Sequence, residues 1–103
     1  MTEQQQSLAR VGVALADPVR QRILIALLDG PAHPADLSDL IGTTRANLSN
    51  HLACLRGCGL VTTTPVGRRV RYELASDDLA HALQDLLRLE VTLDCAQNKV
   101  PAK

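Results

Sequence analysis

Cys54 and Cys58 stand four positions apart in the run Asn50-His51-Leu52-Ala53-Cys54-Leu55-Arg56-Gly57-Cys58-Gly59-Leu60. On a helix, side chains at i and i+4 lie one above the other on one face. Two thiols so placed can grip one soft ion: Cd(II), Pb(II), Hg(II), Cu(I) or Zn(II). Two thiolates alone hold an ion poorly, and the one other cysteine is Cys95. Three sulfurs suit a pyramidal Pb(II) site, and Cd(II) could add water or an oxygen such as that of Asp94. Structural zinc sites want four closed ligands, so zinc is less well served. The competing role for Cys54 and Cys58 is packing, because a free cysteine behaves as a small apolar group. Their spacing, the flanking Gly57 and Gly59, and the third cysteine favour metal. Thiol oxidation would disturb the same segment. Helical i, i+4 cysteines are badly oriented for a disulfide, so a redox switch ranks lower.

The elements that must hold these thiols are legible in the apolar rhythm. Leu8, Val11 and Leu15 recur at helical spacing over Ser7 to Leu15. Asp17-Pro18 is a helix start, an acid at the N-cap and then proline at the first helical position. That helix runs through Val19, Ile23, Leu24, Ala26, Leu27 and Leu28 and stops at Asp29-Gly30. It is apolar on most sides, which predicts a central, buried helix. Pro34 opens a short helix, Ala35 to Ile41, closed by Gly42 in a left-handed cap. Thr43 or Thr44 caps the next helix, whose Leu48, Leu52 and Leu55 face the core. A short helix, a tight glycine turn and a second helix make a helix-turn-helix.

Past Gly59 the pattern changes. Leu60 to Thr64 reads as a strand and Pro65-Val66-Gly67 as a turn. Arg69 to Leu74 alternates, with Val70, Tyr72 and Leu74 on one face and Arg69, Arg71 and Glu73 on the other. Ser76 caps a last helix with Leu79, Leu83, Leu86, Leu87 and Val91 along one side. The expected fold is mainly α with a small β-hairpin, a winged helix-turn-helix. One domain spans 1–103, with its core in 7–93 and a polar tail, 94–103, that carries Cys95.

Composition sets the class. Tyr72 is the single aromatic among 103 residues, so the core must be aliphatic. A small aliphatic core stabilises a lone domain marginally, which favours a homodimer. No apolar-centred leader stands at Met1–Gln6 and no apolar run reaches membrane length, so a cytoplasmic protein without a membrane partner is expected. A reducing compartment keeps the cysteines as thiols. Net charge is zero, but its distribution is uneven. Gly42 to Leu74 holds five arginines and one acid, Glu73. Charge gathered in one segment favours a phosphate backbone even when the total vanishes.

With Leu48, Leu52 and Leu55 inward, Thr44, Arg45, Asn47, Ser49 and Asn50 fall on other faces. Arg pairs with guanine and Asn with adenine in the major groove. Arg68, Arg69 and Arg71 on the hairpin would meet phosphates or the neighbouring minor groove. Double-stranded operator DNA is therefore the expected partner. No phosphate-binding glycine loop, acid–base pair or nucleophile arrangement stands out, and no enzyme is expected.

Three stretches carry a family resemblance: Ala14-Leu15-Ala16-Asp17-Pro18-Val19-Arg20-Gln21-Arg22-Ile23-Leu24, Asn47-Leu48-Ser49-Asn50-His51-Leu52 and Gly67-Arg68-Arg69-Val70-Arg71-Tyr72. On these the chain resembles the ArsR/SmtB family of metal-responsive repressors across nearly the whole domain. Cys54-Leu55-Arg56-Gly57-Cys58-Gly59-Leu60-Val61 is most similar to the cadmium- and lead-sensing branch. The resemblance implies a dimer that holds DNA without metal and lets go when Cd(II) or Pb(II) binds. It also implies a third thiolate from the C-terminal tail, from the same or the other subunit, for which Cys95 is the candidate. The stripes Leu8/Val11/Leu15 and Leu79/Leu83/Leu86 become candidate dimer surfaces, with intrachain packing as their alternative. The arsenic-type Cys-x-Cys would fall at His33-Pro34-Ala35, and the last helix offers only His81 for a zinc-type site. An arsenite-responsive or thiol-redox-responsive repressor of the same fold is the alternative reading.

Overall fold

The computed structural model describes residues 2–89. Val91, Asp94, Cys95 and the 94–103 tail lie outside the described residues. The elements are α1 (Glu3–Leu15), α2 (Pro18–Leu27), α3 (Pro34–Ile41), α4 (Arg45–Gly57), β1 (Val61–Val66), β2 (Arg69–Leu74) and α5 (Asp77–Arg88). This is a winged helix-turn-helix, with β1 and β2 as the wing.

α1 starts four residues earlier than its apolar rhythm suggests, because a capping box fixes it. The N–H of Gln5 donates to Thr2 Oγ1 at 3.1 Å, and the N–H of Thr2 donates to Gln5 Oε1 at 2.9 Å. This first turn is polar and exposed, so it carries no burial signal. α2 begins where Asp17-Pro18 predicts. Asp17 Oδ2 accepts the N–H groups of Val19 at 2.8 Å and Arg20 at 3.1 Å. α2 packs against α1, α3, α4 and β2, which makes it the central helix. It is not buried all round: Ile23, Leu24 and Leu27 are inside, while Ile25 is 48% exposed.

Ser38 and Gly42 close the turn between α3 and α4. Ser38 Oγ donates to the Thr43 carbonyl at 2.6 Å, and the Gly42 N–H donates to the Ser38 carbonyl at 2.9 Å. Thr44, rather than Thr43, caps α4. Leu48, Leu52 and Leu55 are fully buried, as the rhythm predicts.

The wing differs from the sequence expectation in two respects. Pro65 and Val66 are paired with Val70 and Arg69, so the turn is Gly67-Arg68 alone. Gly67 has φ 63° and Arg68 does not take a positive φ, the sign pattern of a two-residue type II′ turn. The alternation of β2 is only half expressed. Tyr72 and Leu74 pack on the core, but Val70 is exposed because the hairpin has passed the edge of the domain there. Backbone bonds between Ala32 and Tyr72, at 2.9 and 2.8 Å, pin the base of the wing to the loop before α3. His33 Nδ1 adds a bond to the Val70 carbonyl at 3.0 Å.

The core is aliphatic, as composition requires, and Leu83 belongs to it with 6% exposure. Leu83 is therefore removed from the candidate dimer surface, since its side chain is spent within its own chain. Leu15 and Leu79 also pack partly on this core. Leu8, Leu86 and Leu87 face outward.

Candidate thiol site and nucleic-acid interface

The end of α4 is built from three residues. The Gly59 N–H donates to the Arg56 carbonyl and the Leu60 N–H to the Leu55 carbonyl, both at 3.0 Å. Gly59 has φ 82°. These are the paired bonds of a Schellman cap, and Leu60 buries itself beside Leu55. Cys54 therefore sits in the last helical turn and Cys58 at the cap itself, with its N–H on the Cys54 carbonyl at 3.0 Å.

Both thiols are free and half-buried. Burial pushes the Cys58 thiol above the usual thiol range. Its hydrogen-bonding neighbour Cys54 adds to the rise, and the guanidinium groups of Arg10 and Arg20 oppose it. The spacing has thus brought the two thiol side chains side by side at the end of α4. Cys58 opens onto a cleft of about 280 Å³ whose walls include Ser7, Arg10 and Val11 of α1, and Ser76 and Leu79 at the start of α5.

The donor set suits a soft cation and is incomplete. Among the described residues no three His, Cys, Asp or Glu side chains converge on one point. The described part of one chain thus supplies two sulfurs to such a site. Cys95 and Asp94 lie outside the described residues.

Arg20 and His51 join this site, and neither is visible in the sequence as a partner of the other. Arg20 Nη2 donates to the Val13 carbonyl at 2.9 Å. Its Nη1 lies 3.3 Å from His51 Nδ1. A guanidinium only donates, so Nδ1 is the accepting nitrogen in this bond. Asp17 Oδ2 is 3.7 Å from the same atom. The two backbone N–H groups that cap α2, with the Arg20 guanidinium nearby, hold the Asp17 carboxyl below its usual range, against its partial burial. On α4, His51, Cys54 and Cys58 are half-buried and lie at i, i+3 and i+7, one face toward α1 and α2. His51 itself is half-buried beside Arg20 and Asp17.

The DNA-facing candidates divide into free and engaged groups. Thr44, Arg45, Asn47, Ser49 and Asn50 are all exposed. The Thr44 hydroxyl accepts the Asn47 N–H at 3.0 Å as the helix cap, and Asn47 Nδ2 donates to Thr43 Oγ1 at 2.8 Å. Arg45, Ser49 and Asn50 have no such bond among the described residues. On the wing, Arg68 stands at the turn and Arg69 is exposed within 4.0 Å of Asp36. Arg71 is drawn inward: it lies 3.8 Å from Glu73 and its Nε is buried. Arg71 is therefore less able to reach a phosphate than its place in the alternation suggests. No helix among the described residues is long and apolar enough to cross a membrane.

Comparison with known proteins agrees with this geometry. The model of the bacterial regulatory protein arsR family matches residues 17–63, which cover α2, the helix-turn-helix and the start of β1. The HTH-type transcriptional regulator CmtR of Mycobacterium tuberculosis is 56% identical over 91 residues, 88% of this chain and 77% of that protein. The solution structure of the M. tuberculosis cadmium metal-sensor CMTR superposes with a TM-score of 0.71 at 54% identity, covering 92% of this chain and 99% of that one. A homodimeric winged helix-turn-helix DNA-binding domain from Mycobacterium bovis gives a TM-score of 0.77 at 27% identity, with 84% of each chain covered.

Proposed function

Because the chain belongs to the bacterial arsR family of transcriptional regulators, we propose that it is a homodimeric repressor whose grip on operator DNA is broken by Cd(II) or Pb(II). The observation that carries the reading is the thiol pair at the C-terminal end of the recognition helix, two neighbouring half-buried thiols on the element that would read DNA. Similarity to a cadmium sensor at 54% identity supports a soft-metal input over arsenite or oxidation. Cys54 and Cys58 lose their protons to solvent as they take the ion, and Cys95 of the same or the other subunit supplies the third thiolate.

In DNA, α4 enters the major groove, with Arg45, Ser49 and Asn50 free to meet base edges and Thr44 and Asn47 shaping the first turn. Arg68 and Arg69 meet backbone phosphates, with Arg71 behind them. The exposed Leu8 and Leu86, with Val11, Leu15 and Leu79 at their margins, are covered by the second subunit. The ion bound at the end of α4 changes the relative setting of the two recognition helices, and two adjacent major grooves no longer fit both. Linkage requires that DNA weaken metal binding by the same factor.

The test is fluorescence anisotropy of DNA from upstream of the chain's own gene, at fixed salt, with reduced metal-free protein and then with Cd(II), Pb(II), Zn(II) or arsenite. Tight binding that Cd(II) or Pb(II) releases, and that Cys58→Ser no longer releases, is the expected result. Tight binding indifferent to every ion would overturn the proposal.

A further inference from the structure

The thiol pair and the base-reading side chains occupy different parts of α4, so something must carry the presence of an ion at one to the orientation of the other. Arg20 is placed to do so. It leaves α2, crosses to the last turn of α1 at the Val13 carbonyl, and reaches the middle of α4 at His51. His51 lies one turn before Cys54 and two before Cys58 on the same face. The third donor of the guanidinium, Nε, is buried and has no acceptor among the described residues. A buried N–H without a partner is uncommon and costly, and it is ready to turn to any acceptor that forms nearby. A thiol sulfur is a weak acceptor, whereas a metal-bound thiolate carries negative charge and draws hydrogen-bond donors around it.

We propose that Arg20 is the positioning residue that couples the thiol site to the recognition helix, exchanging His51 for a metal-bound thiolate of Cys54 or Cys58. This rests on the metal-responsive reading above and deepens it. In the metal-free protein Arg20 clamps α4 to the α1–α2 corner through His51 Nδ1. When the ion displaces the two thiol protons to solvent, the donors of Arg20 turn toward sulfur. His51 Nδ1 is then free to take up a proton, as Nε2 gives its own to solvent, and to donate to Asp17 Oδ2, 3.7 Å away, and the middle of α4 loses its tie to α1. Because α1 is a candidate dimer element, the same exchange shifts α4 relative to the other subunit. Arg20 touches no base or phosphate in this scheme and acts through His51.

The experiment compares wild type, Arg20→Lys, His51→Ala and His51→Asn as full-length reduced protein, with CdCl2 as the probe. Arg20→Lys keeps the charge but loses the fork, and His51→Asn returns a side-chain acceptor near the place of Nδ1. Two quantities are read: the ratio of operator affinities without and with Cd(II), and the His51 ring 15N shifts during a Cd(II) titration without DNA. Wild type should lose operator affinity by about 10- to 100-fold, the usual scale of allosteric coupling, with a shift at His51 Nδ1. Arg20→Lys and His51→Ala should bind Cd(II) with the same thiolate absorbance as wild type, but should already hold metal-free operator about as weakly as Cd(II)-loaded wild type, so that the ratio falls below about threefold. The His51 signal in Arg20→Lys should not respond, and His51→Asn should recover most of the ratio. If Arg20→Lys fails to fold, the His51→Ala and His51→Asn pair decides alone. A wild-type ratio in folded Arg20→Lys or His51→Ala overturns the coupling while leaving the metal-responsive reading intact. Operator release absent from wild type itself overturns that reading, and the coupling with it.

Discussion

The backbone N–H of Leu60 donates to the carbonyl of Leu55 at 3.0 Å, and both side chains are buried in the core. This one bond ends the recognition helix, hands the chain to the wing, and fixes Cys58 between its two partners. It requires Gly59 at φ 82°, and a Cβ there would meet no atom within 4 Å. The cost of Gly59→Ala is therefore backbone strain alone, about 1 kcal/mol or more. Thermal unfolding should fall by roughly 4–8 °C per kcal/mol, with weaker Cd(II) binding because Cys58 moves. Gly57→Ala, in open space at an ordinary helical φ, should be neutral or raise the midpoint. Equal losses in both variants would contradict the cap.

Metal affinity should rise with pH. The ion competes with protons on Cys54 and Cys58, and the raised Cys58 pKa keeps that competition active above the ordinary thiol range. The apparent association constant for Cd(II), measured against a chelator whose own protonation is corrected for, should climb by about two to three decades per pH unit between about pH 6 and 8, since three thiols give up protons. Cys58→Ser should flatten the slope by about one proton. A flat profile in the native chain would mean that the thiols are not the ligands.

The wing arginines should differ from one another. Arg68→Ala and Arg69→Ala should each weaken operator binding and reduce the salt slope by about 0.9 for each phosphate that is no longer neutralised. Arg71→Ala should leave the slope nearly unchanged, because its guanidinium is held near Glu73 with Nε buried. Its effect should appear in stability instead. Slopes measured by titration across salt concentrations decide this, and a fall at Arg71 equal to that at Arg68 would reverse the ranking.

Leu86 and Leu8 are 46% and 72% exposed, and neither supports the core of its own chain. Leu86→Asp should convert a dimer to a monomer in sedimentation equilibrium and lower operator affinity by roughly 10-fold or more, since a two-fold site loses one reading head. Leu83→Asp should unfold the chain outright, because it buries a charge without a partner. Dimerisation untouched in Leu86→Asp would place the interface elsewhere.

Acid should weaken the α1–α2 corner. The Asp17 carboxyl titrates below its ordinary value of 3.8, so the folded form prefers the charged state. The stability it contributes is present above the unfolded value and is lost as pH falls through the lower, folded one. Urea unfolding of Asp17→Asn should therefore depend less on pH below about 4 than that of the native chain. Parallel profiles would remove Asp17 from this role.

Most of the elements and the thiol spacing are legible in the order of residues alone, apart from the start of α1 and the reach of β1. Caps such as Asp17-Pro18, Thr44 and Ser76, and the turn at Gly42, act within a few residues, so their effect is written locally. The spacing of Cys54 and Cys58 is likewise local, because a helix converts i, i+4 into contact. The tertiary structure decided which of two apolar residues on one helix serves the core and which the outside, as with Leu83 and Leu86. It also joined Ala32 to Tyr72, buried the Nε of Arg71, and brought Arg20 to His51 across 31 positions of chain. Periodicity reports that a face is apolar, not what covers it. A hydrogen bond between distant side chains leaves no spacing to read, because it exists only once α2 has packed against α4.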